Sequence, residues 1–323
     1  MLIARRTLLI QTAAALAAAL AATQSRAEGA PIRLIVPFTP GTGIDLIARQ
    51  IGPRLAERLG RPVIVDNRAG ASGNLGTEAV VRASADGSTL LVTVSTLVMN
   101  RALYPGSSFD PVKDLEPVSL TSYGQLLLVA SRASNIQSAQ DLLARARARP
   151  GALNYGSPGN GTPHHLAMEL VKSQAQVFIT HSPYRGTGPA VTDLLGGQID
   201  LMFLPIHVAL QHVKAGNLRA LAISSDRPSP LLPEVPPLRT LNLGQLDVEM
   251  WYGVLAPRGT PRALVERLNT ELKSILALPE VKAAFETQGM TPAHSSADEF
   301  RALIERDAAR WAEVIRAQRI SAN

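Results

Sequence analysis

From Ile32 onward the chain alternates short apolar runs with amphipathic ones, and a glycine-containing turn separates most of them. The run "IRLIVPF" (Ile32 to Phe38) is uninterrupted and of strand length, which predicts a buried strand. In "DLIARQIGPRLAERL" the residues Ile47, Ile51, Leu55 and Leu59 recur every four positions and share one helical face. Pro53 is expected to kink that helix or to start its second half. The segments "PVIVDN", a helix from about Leu75 to Ala83, and "TLLVTV" complete a βαβαβ pattern. Crossovers of this length imply parallel strands.

The same grammar restarts after "QLLLVAS" (Gln125 to Ser131). It runs through a helix near Ser138 to Arg147, "LNYGS", a helix from Pro163, "VFITH", a helix near Pro189 to Leu195, "IDLMF", a further helix and "LRALAIS". The proline-rich "RPSPLLPEVPPL" reads as an extended connector, "WYGVLAP" as one more strand, and everything after Pro261 as helix. A tail of helices without strands must pack on an existing sheet, most naturally the first. The predicted fold class is therefore α/β with two lobes, each a mostly parallel sheet flanked by helices. The expected division is residues 28–126 and 248–323 for lobe 1 and 127–247 for lobe 2, so that a two-segment hinge joins them.

The first 27 residues stand apart from this pattern. Arg5 and Arg6 precede the uncharged run "TLLIQTAAALAAALAA", and Ser25 and Ala27 supply small residues at an expected cleavage site. This is the layout of a secretory signal, Sec or twin-arginine, and places the mature protein in the periplasm. Its removal takes three of the 32 basic residues, leaving 29 against 26 acidic ones, so the net charge falls from +6 to +3. Aromatic residues make up only 4% and no basic block alternates with them, which excludes an ordinary nucleic-acid surface. The absence of cysteine removes disulfides, thiolate catalysis and thiolate metal sites together.

Four turns carry the candidate chemistry: "FTPGTGID", "NRAGASGNLG", "YGSPGNGTPHH" and "YRGTGPA", each opening onto a helix. One such turn is explained by the tight geometry glycine permits. Four of them at the carboxyl ends of strands bring several helix N-termini, with their unpaired N–H groups and partial positive charge, to one side of the sheets. Ser72, Asn74, Ser157, Asn160, Thr162 and Thr187 add short neutral donors, and Asp45 is placed to cap the first helix. The chemistry on offer is anion capture. Three G-x-G pairs lack the third glycine of a dinucleotide fingerprint, no phosphate-loop lysine motif occurs, and "GASGN" falls one glycine short of a nucleophile elbow. His164 and His165 point about 100° apart on a helix, a poor metal pair, and His207 and His212 are also badly spaced. No catalytic residue, metal or cofactor is expected. His164 reads either as a first-turn residue beside the cleft or as a hydrogen-bond partner for an anion. Trp251, Tyr252 and Trp311 read as packing residues.

The segments "PIRLIVPFTPGTGIDLIAR", "VDNRAGASGNLGTEAV", "NYGSPGNGTPHHLAMEL", "PYRGTGPAVTDLLGGQIDLMF" and "WYGVLAPRGTP", taken in order with the helical tail, resemble the tripartite tricarboxylate transporter receptors, also called Bug or TctC-type solute-binding proteins. The resemblance covers the whole mature chain. It implies a type II periplasmic-binding-protein fold that closes on a small organic acid, and delivery to the inner-membrane permease subunits of a tripartite transporter, with the receptor itself a monomer. It further implies binding roles for Phe38, Thr39, Gly41, Thr42, Gly43 and Asp45 in the first turn, Ser72 and Asn74 in the second, and Ser95 after "TVS". In the second lobe it implies roles for Ser157, Gly159, Asn160, Gly161, Thr162 and His164, with Tyr184 and Arg185 nearby. Thr42, Ser72 and Leu204 depart from the family pattern, which is usually richer in glycine at the first two positions and acidic at the third. A secreted α/β hydrolase using His164 as base, or a receptor serving an ABC importer or a sensor, are the alternative readings.

Overall fold

The computed structural model describes residues 30–225, 228–241, 243, 248–317 and 320–321. The expected signal segment lies outside the described residues. The first half-domain follows the periodicities closely. Strand β1 (Ile32–Val36) is buried at every position but Arg33, and β3 (Thr89–Val94) is buried beyond its first residues, as runs without alternation require. Helix α1 (Gly43–Leu59) buries Ile44, Ile47, Ala48, Ile51 and Leu55, runs on through Pro53, and stops at Gly60, whose φ of 62° places it in the left-handed region of a helix C-cap. Strand β2 (Val63–Asn67) and helix α2 (Asn74–Val81) complete this unit, with β1 parallel to both β2 and β3.

Helix α3 (Thr96–Leu103) and strand β4 (Leu115–Gly124) come next, and then β5 (Leu126–Ser131) opens a second sheet. That sheet also holds β6 (Asn154–Ser157), β7 (Thr180–Pro183), β8 (Leu201–Pro205) and β9 (Leu218–Ile223), in the order β7-β6-β8-β5-β9. Its helices are α4 (Ala139–Ala148), α5 (Pro163–Ala175), α6 (Thr187–Leu195) and α7 (Ile206–Lys214). The chain then returns to the first sheet as β10 (Met250–Pro257), followed by α8 (Arg262–Leu276), α9 (Pro279–Thr287), β11 (Met290–Pro292) and α10 (Ala297–Ala317). The first sheet runs β11-β4-β10-β3-β1-β2.

Two expectations need adjustment. The tail after Pro261 is not all helix, because β11 adds a three-residue edge antiparallel to β4. Parallel pairing holds within the βαβ units, including β6 with β7 and β8. The strands that bring the chain into a sheet from the other lobe, β10 in the first sheet and β5 in the second, pair antiparallel with both of their neighbours. A strand that arrives from the other lobe enters its sheet from the opposite end, so its direction is reversed.

The two connections lie side by side. Gly124 ends β4 opposite Met250, and Leu126 begins β5 with its N–H donating to Ser224 Oγ at 3.0 Å. Ser224 Oγ donates in turn to the Val248 carbonyl at 2.9 Å, tying the outgoing and returning segments together. The first lobe is closed from behind by α10. Trp251 Nε1 donates to the buried Asp307 at 2.8 Å, and the Phe300 ring meets Trp251 edge-on at 5.2 Å, over the bare backbone of Gly253.

Candidate functional site

Strand-to-helix turns from both sheets meet across a cleft. Its inner cavity, about 240 Å³, is walled by the Phe38–Ile44 turn, Val94 and Thr96, Thr162 to His164, Thr187 and Val191, Pro205, His207 and Val208, and Met250 with Tyr252. A second cavity of about 430 Å³ continues toward the surface between Ala69–Gly73, Pro158–Gly159 and Tyr184–Thr187. The two share Phe38, Thr39, Thr42, Pro158 and Thr187, so they form one cleft with an inner and an outer part. Thr42 and Thr162, which precede helices in different lobes, face the same inner space.

The first turn is held rigidly by Asp45. This residue sits inside the first turn of α1 and reaches back, with Oδ2 accepting from the Gly41 N–H and from Arg49 Nε, each at 3.0 Å, while Oδ1 accepts from Asn67 Nδ2 at 3.0 Å. Burial pushes its pKa up, but the hydrogen bonds from Arg49, Gly41 and Asn67 outweigh that and hold it below the usual carboxylate range. The carboxylate is thus consumed in shaping the loop, and it stands behind the cavity wall. Gly41, at φ 81°, makes the turn that points the following N–H groups at the cleft.

The second-lobe turn is knitted in the same manner. Thr162 caps α5, its hydroxyl accepting from His165 N and donating to the Gly159 carbonyl at 2.8 Å. Ser157 Oγ pairs with His181 Nε2 at 2.7 Å, and the His181, His165 and Tyr155 rings stack behind it, with centroids 4.2 Å and 4.6 Å apart for the two His181 contacts. Burial lowers His165 to about 4 and His181 to about 3, so both rings are neutral scaffold. The lobes touch directly at the rim, where Ser72 Oγ donates to the Asn160 carbonyl at 2.7 Å. Asn100 supports that rim by donating to the Ser72 carbonyl and to Asn74 Oδ1.

The residues singled out in the sequence therefore separate into two sets. Phe38, Thr39, Gly41, Thr42, Gly43, Thr162 and His164 line the inner cavity; Ser72, Gly159, Tyr184 and Arg185 line the outer part. Asp45, Asn74, Ser95, Ser157, Asn160 and Gly161 line neither part, and Asn74 lines a separate surface cavity. The inner wall also holds Thr96, Pro205, His207, Met250 and Tyr252, none of which lies in a glycine-containing turn. The turns "VST" and "LPIH" connect strand to helix at the same sheet edge without a glycine, and the topological rule alone would have found them. Met250 and Tyr252 come from the returning strand, with no local signature.

The inner wall carries no Asp, Glu, Lys or Arg side chain among the described residues. Its polarity comes from the N-termini of α1, α5, α6 and α7, five threonines, two histidines and a tyrosine. Burial lowers His164 to about 3, with nearby His207 adding to the effect, and lowers His207 to about 4. Such a site can hold an anion through oriented N–H groups without a formal counter-charge.

Residues 47–320 match the family described as "Tripartite tricarboxylate transporter family receptor". The protein BugT of Bordetella pertussis is 38% identical over 288 residues, 88% of each chain. Among solved structures, R. palustris Rpa4515 with adipate superposes with a TM-score of 0.86 at 32% identity, covering 90% of this chain and 98% of that one. MatC from Rhodopseudomonas palustris with bound malate gives 0.83 at 29%, covering 88% and 98%. With two α/β lobes meeting at a cleft of helix N-termini and a family match spanning nearly the whole described chain, this protein belongs to the tripartite tricarboxylate transporter receptors, a family of solute-binding proteins.

Proposed function

We propose that this chain is a periplasmic receptor that captures a small organic carboxylate in the inner cavity and hands it to the membrane permease of a tripartite transporter. The observation that carries the reading is the convergence of helix N-termini from both lobes on one cavity whose wall, among the described residues, has no charged side chain. Similar proteins hold adipate and malate, both carboxylates. The segment 1–27 exports the chain and is removed, and the mature protein acts as a monomer. The paired segments at Gly124–Leu126 and Val248–Met250 are its hinge. A ligand that contacts both lobes only when they are closed stabilises that state by its differential affinity. His164 has no residue to orient it and is neutral far below pH 7, which suits hydrogen bonding better than acid–base catalysis.

A panel of organic acids tests this by thermal shift and small-angle scattering. A cognate acid at about a hundred times its dissociation constant should add about 2.7 kcal/mol of stability and reduce the radius of gyration. Binding without compaction would count against the closing receptor.

The rim bond gives a smaller effect. Ser72→Ala removes the 2.7 Å contact to Asn160 that links the lobes when closed. An intramolecular hydrogen bond of this kind contributes about 1 kcal/mol, so affinity should fall about five-fold, chiefly through faster dissociation. Stopped-flow release rates check it, and an unchanged rate would mean that the bond does not help hold the cleft shut.

A further inference from the structure

The turn between β2 and α2 has a backbone conformation that L side chains seldom adopt. Four successive residues have positive φ: Gly70 at 144°, Ala71 at 47°, Ser72 at 53° and Gly73 at 92°. Glycine accepts this readily, but Ala71 and Ser72 carry a Cβ into the left-handed region, where it crowds the following carbonyl. Such residues persist where their surroundings fix them, and they gather at clamps and switches. From within its own lobe the turn is closed by the Gly73 N–H, which donates to the Gly70 carbonyl at 2.9 Å. It is braced by Asn100 of α3, whose Nδ2 donates to the Ser72 carbonyl at 2.8 Å and to Asn74 Oδ1 at 2.9 Å. Asn100 Oδ1 has no partner, so its hold on the turn comes from Nδ2. Asn100 is 4% exposed and lines neither part of the cleft.

The strained turn carries Ser72 Oγ to the opposite lobe, where it donates to the Asn160 carbonyl at 2.7 Å. The segment that receives it, 159–161, is bare on the side that meets lobe 1. A Cβ on Gly159 would lie 3.0 Å from Ser72 Oγ, and one on Gly161 would overlap Leu103 and lie 3.1 Å from Asn100 Oδ1. Asn160 and Gly161 line neither part of the cleft, so their backbone serves contact between the lobes rather than a ligand. Asn100 and Leu103 are three residues apart on α3, so one face of that helix both braces the turn and bears on the segment it meets. The turn also backs onto the ligand cleft: a Cβ on Gly73 would lie 3.0 Å from Phe38 Cε2, and Phe38 lines both the inner and the outer part.

We infer that the turn 70–73 is a latch for lobe closure, that 159–161 is its seat, and that Asn100 is the positioning residue that holds the latch in the shape the seat accepts. The inference rests on the closing-receptor reading and adds the device that keeps the cleft shut. When the lobes part, the Ser72 to Asn160 bond is lost and the brace from Asn100 keeps the turn ready to close again. Without that brace the left-handed residues relax, and Ser72 Oγ no longer reaches the seat. Asn100 thus acts on ligand retention through Ser72, without touching the ligand.

A double-mutant cycle on the mature protein tests this. Acetate, hexanoate, malate, adipate, benzoate and terephthalate are titrated into the wild type, and the tightest binder serves as the probe. Stopped-flow measurements then give its association and release rates for the wild type, Ser72→Ala, Asn100→Leu and the double variant. Leucine keeps the branching of asparagine and removes the donor. Each single change should speed release about five-fold and alter association by less than about two-fold. The double variant should release no more than about twice as fast as Ser72→Ala, because both changes remove the same contact. Effects that multiply, to about 25-fold, overturn the inference, since Asn100 would then act by a route of its own. So does a release rate unchanged in either single variant. Both of those results leave the receptor reading standing. Failure of every acid to bind the wild type overturns that reading and the latch with it. If Asn100→Leu does not fold, Asn100→Ala enters the same cycle with the same expected rates.

Discussion

Gly43→Leu is expected to abolish ligand binding while leaving the fold intact. Gly43 is the first residue of α1 and its φ is not in the left-handed region, so the backbone accepts an L side chain there. Its missing Cβ, however, is what leaves room between Tyr252 Oη and His207 Cε1, at 3.1 and 3.3 Å from the position a Cβ would take. A leucyl side chain extending from that point enters the cavity of about 240 Å³ that the ligand must occupy. The affinity loss should exceed about a hundred-fold, or about 2.7 kcal/mol, with the alanine variant intermediate. Titration with any acid that stabilises the wild type measures it, and circular dichroism checks the fold. Unaltered affinity in Gly43→Leu would move the ligand out of the inner cavity.

Acidification should destabilise the protein well before its carboxylates titrate. His164 and His181 are held near 3, and His165 and His207 near 4, in each case first by burial. In the unfolded chain each regains a pKa of about 6.5. Protonation therefore favours unfolding: the stability these rings support is fully present above about pH 6.5 and is lost as pH falls from there toward their folded values. Each ring contributes up to about 1.4 kcal/mol per pH unit in that window, so the combined loss by about pH 5 amounts to several kcal/mol. The stacked His165 and His181 repel when both are charged, so the fold resists the second proton more than the first. Thermal midpoints measured from about pH 8 to 4.5 should be flat at first and then fall steeply below about pH 6.5. A flat profile throughout would mean that these rings are solvated in solution.

Much of the fold was legible because its strands and helices announce themselves through period. Strand β3 and the α1 stripe needed no tertiary information: runs of Leu and Val, or isoleucines four apart, bury only one way. Helix α3 was not legible, since Leu97, Val98, Met99 and Leu103 are buried around most of its circumference and leave no stripe. Strand β4 hid behind buried Ser119, Thr121 and Ser122, which look like loop residues until the partner strands cover them. Strand β11 is three residues long and exists because β4 offers it an edge.

By itself the sequence determined the two α/β lobes and the turns that aim helix N-termini at one face, because periodicity and glycine geometry act locally. Only the tertiary structure decided which polar side chains meet the cleft and which merely build it. Asp45, Ser157 and Thr162 bond groups within their own lobes and shape the turns, while Phe38, Thr42 and His164 line the cavity itself. A hydroxyl, carboxylate or imidazole near the start of a helix has the same local pattern in either case. Its partner is chosen by the packing of segments a hundred or more residues away, above all the returning strand that brings Met250 and Tyr252 beneath the first turn.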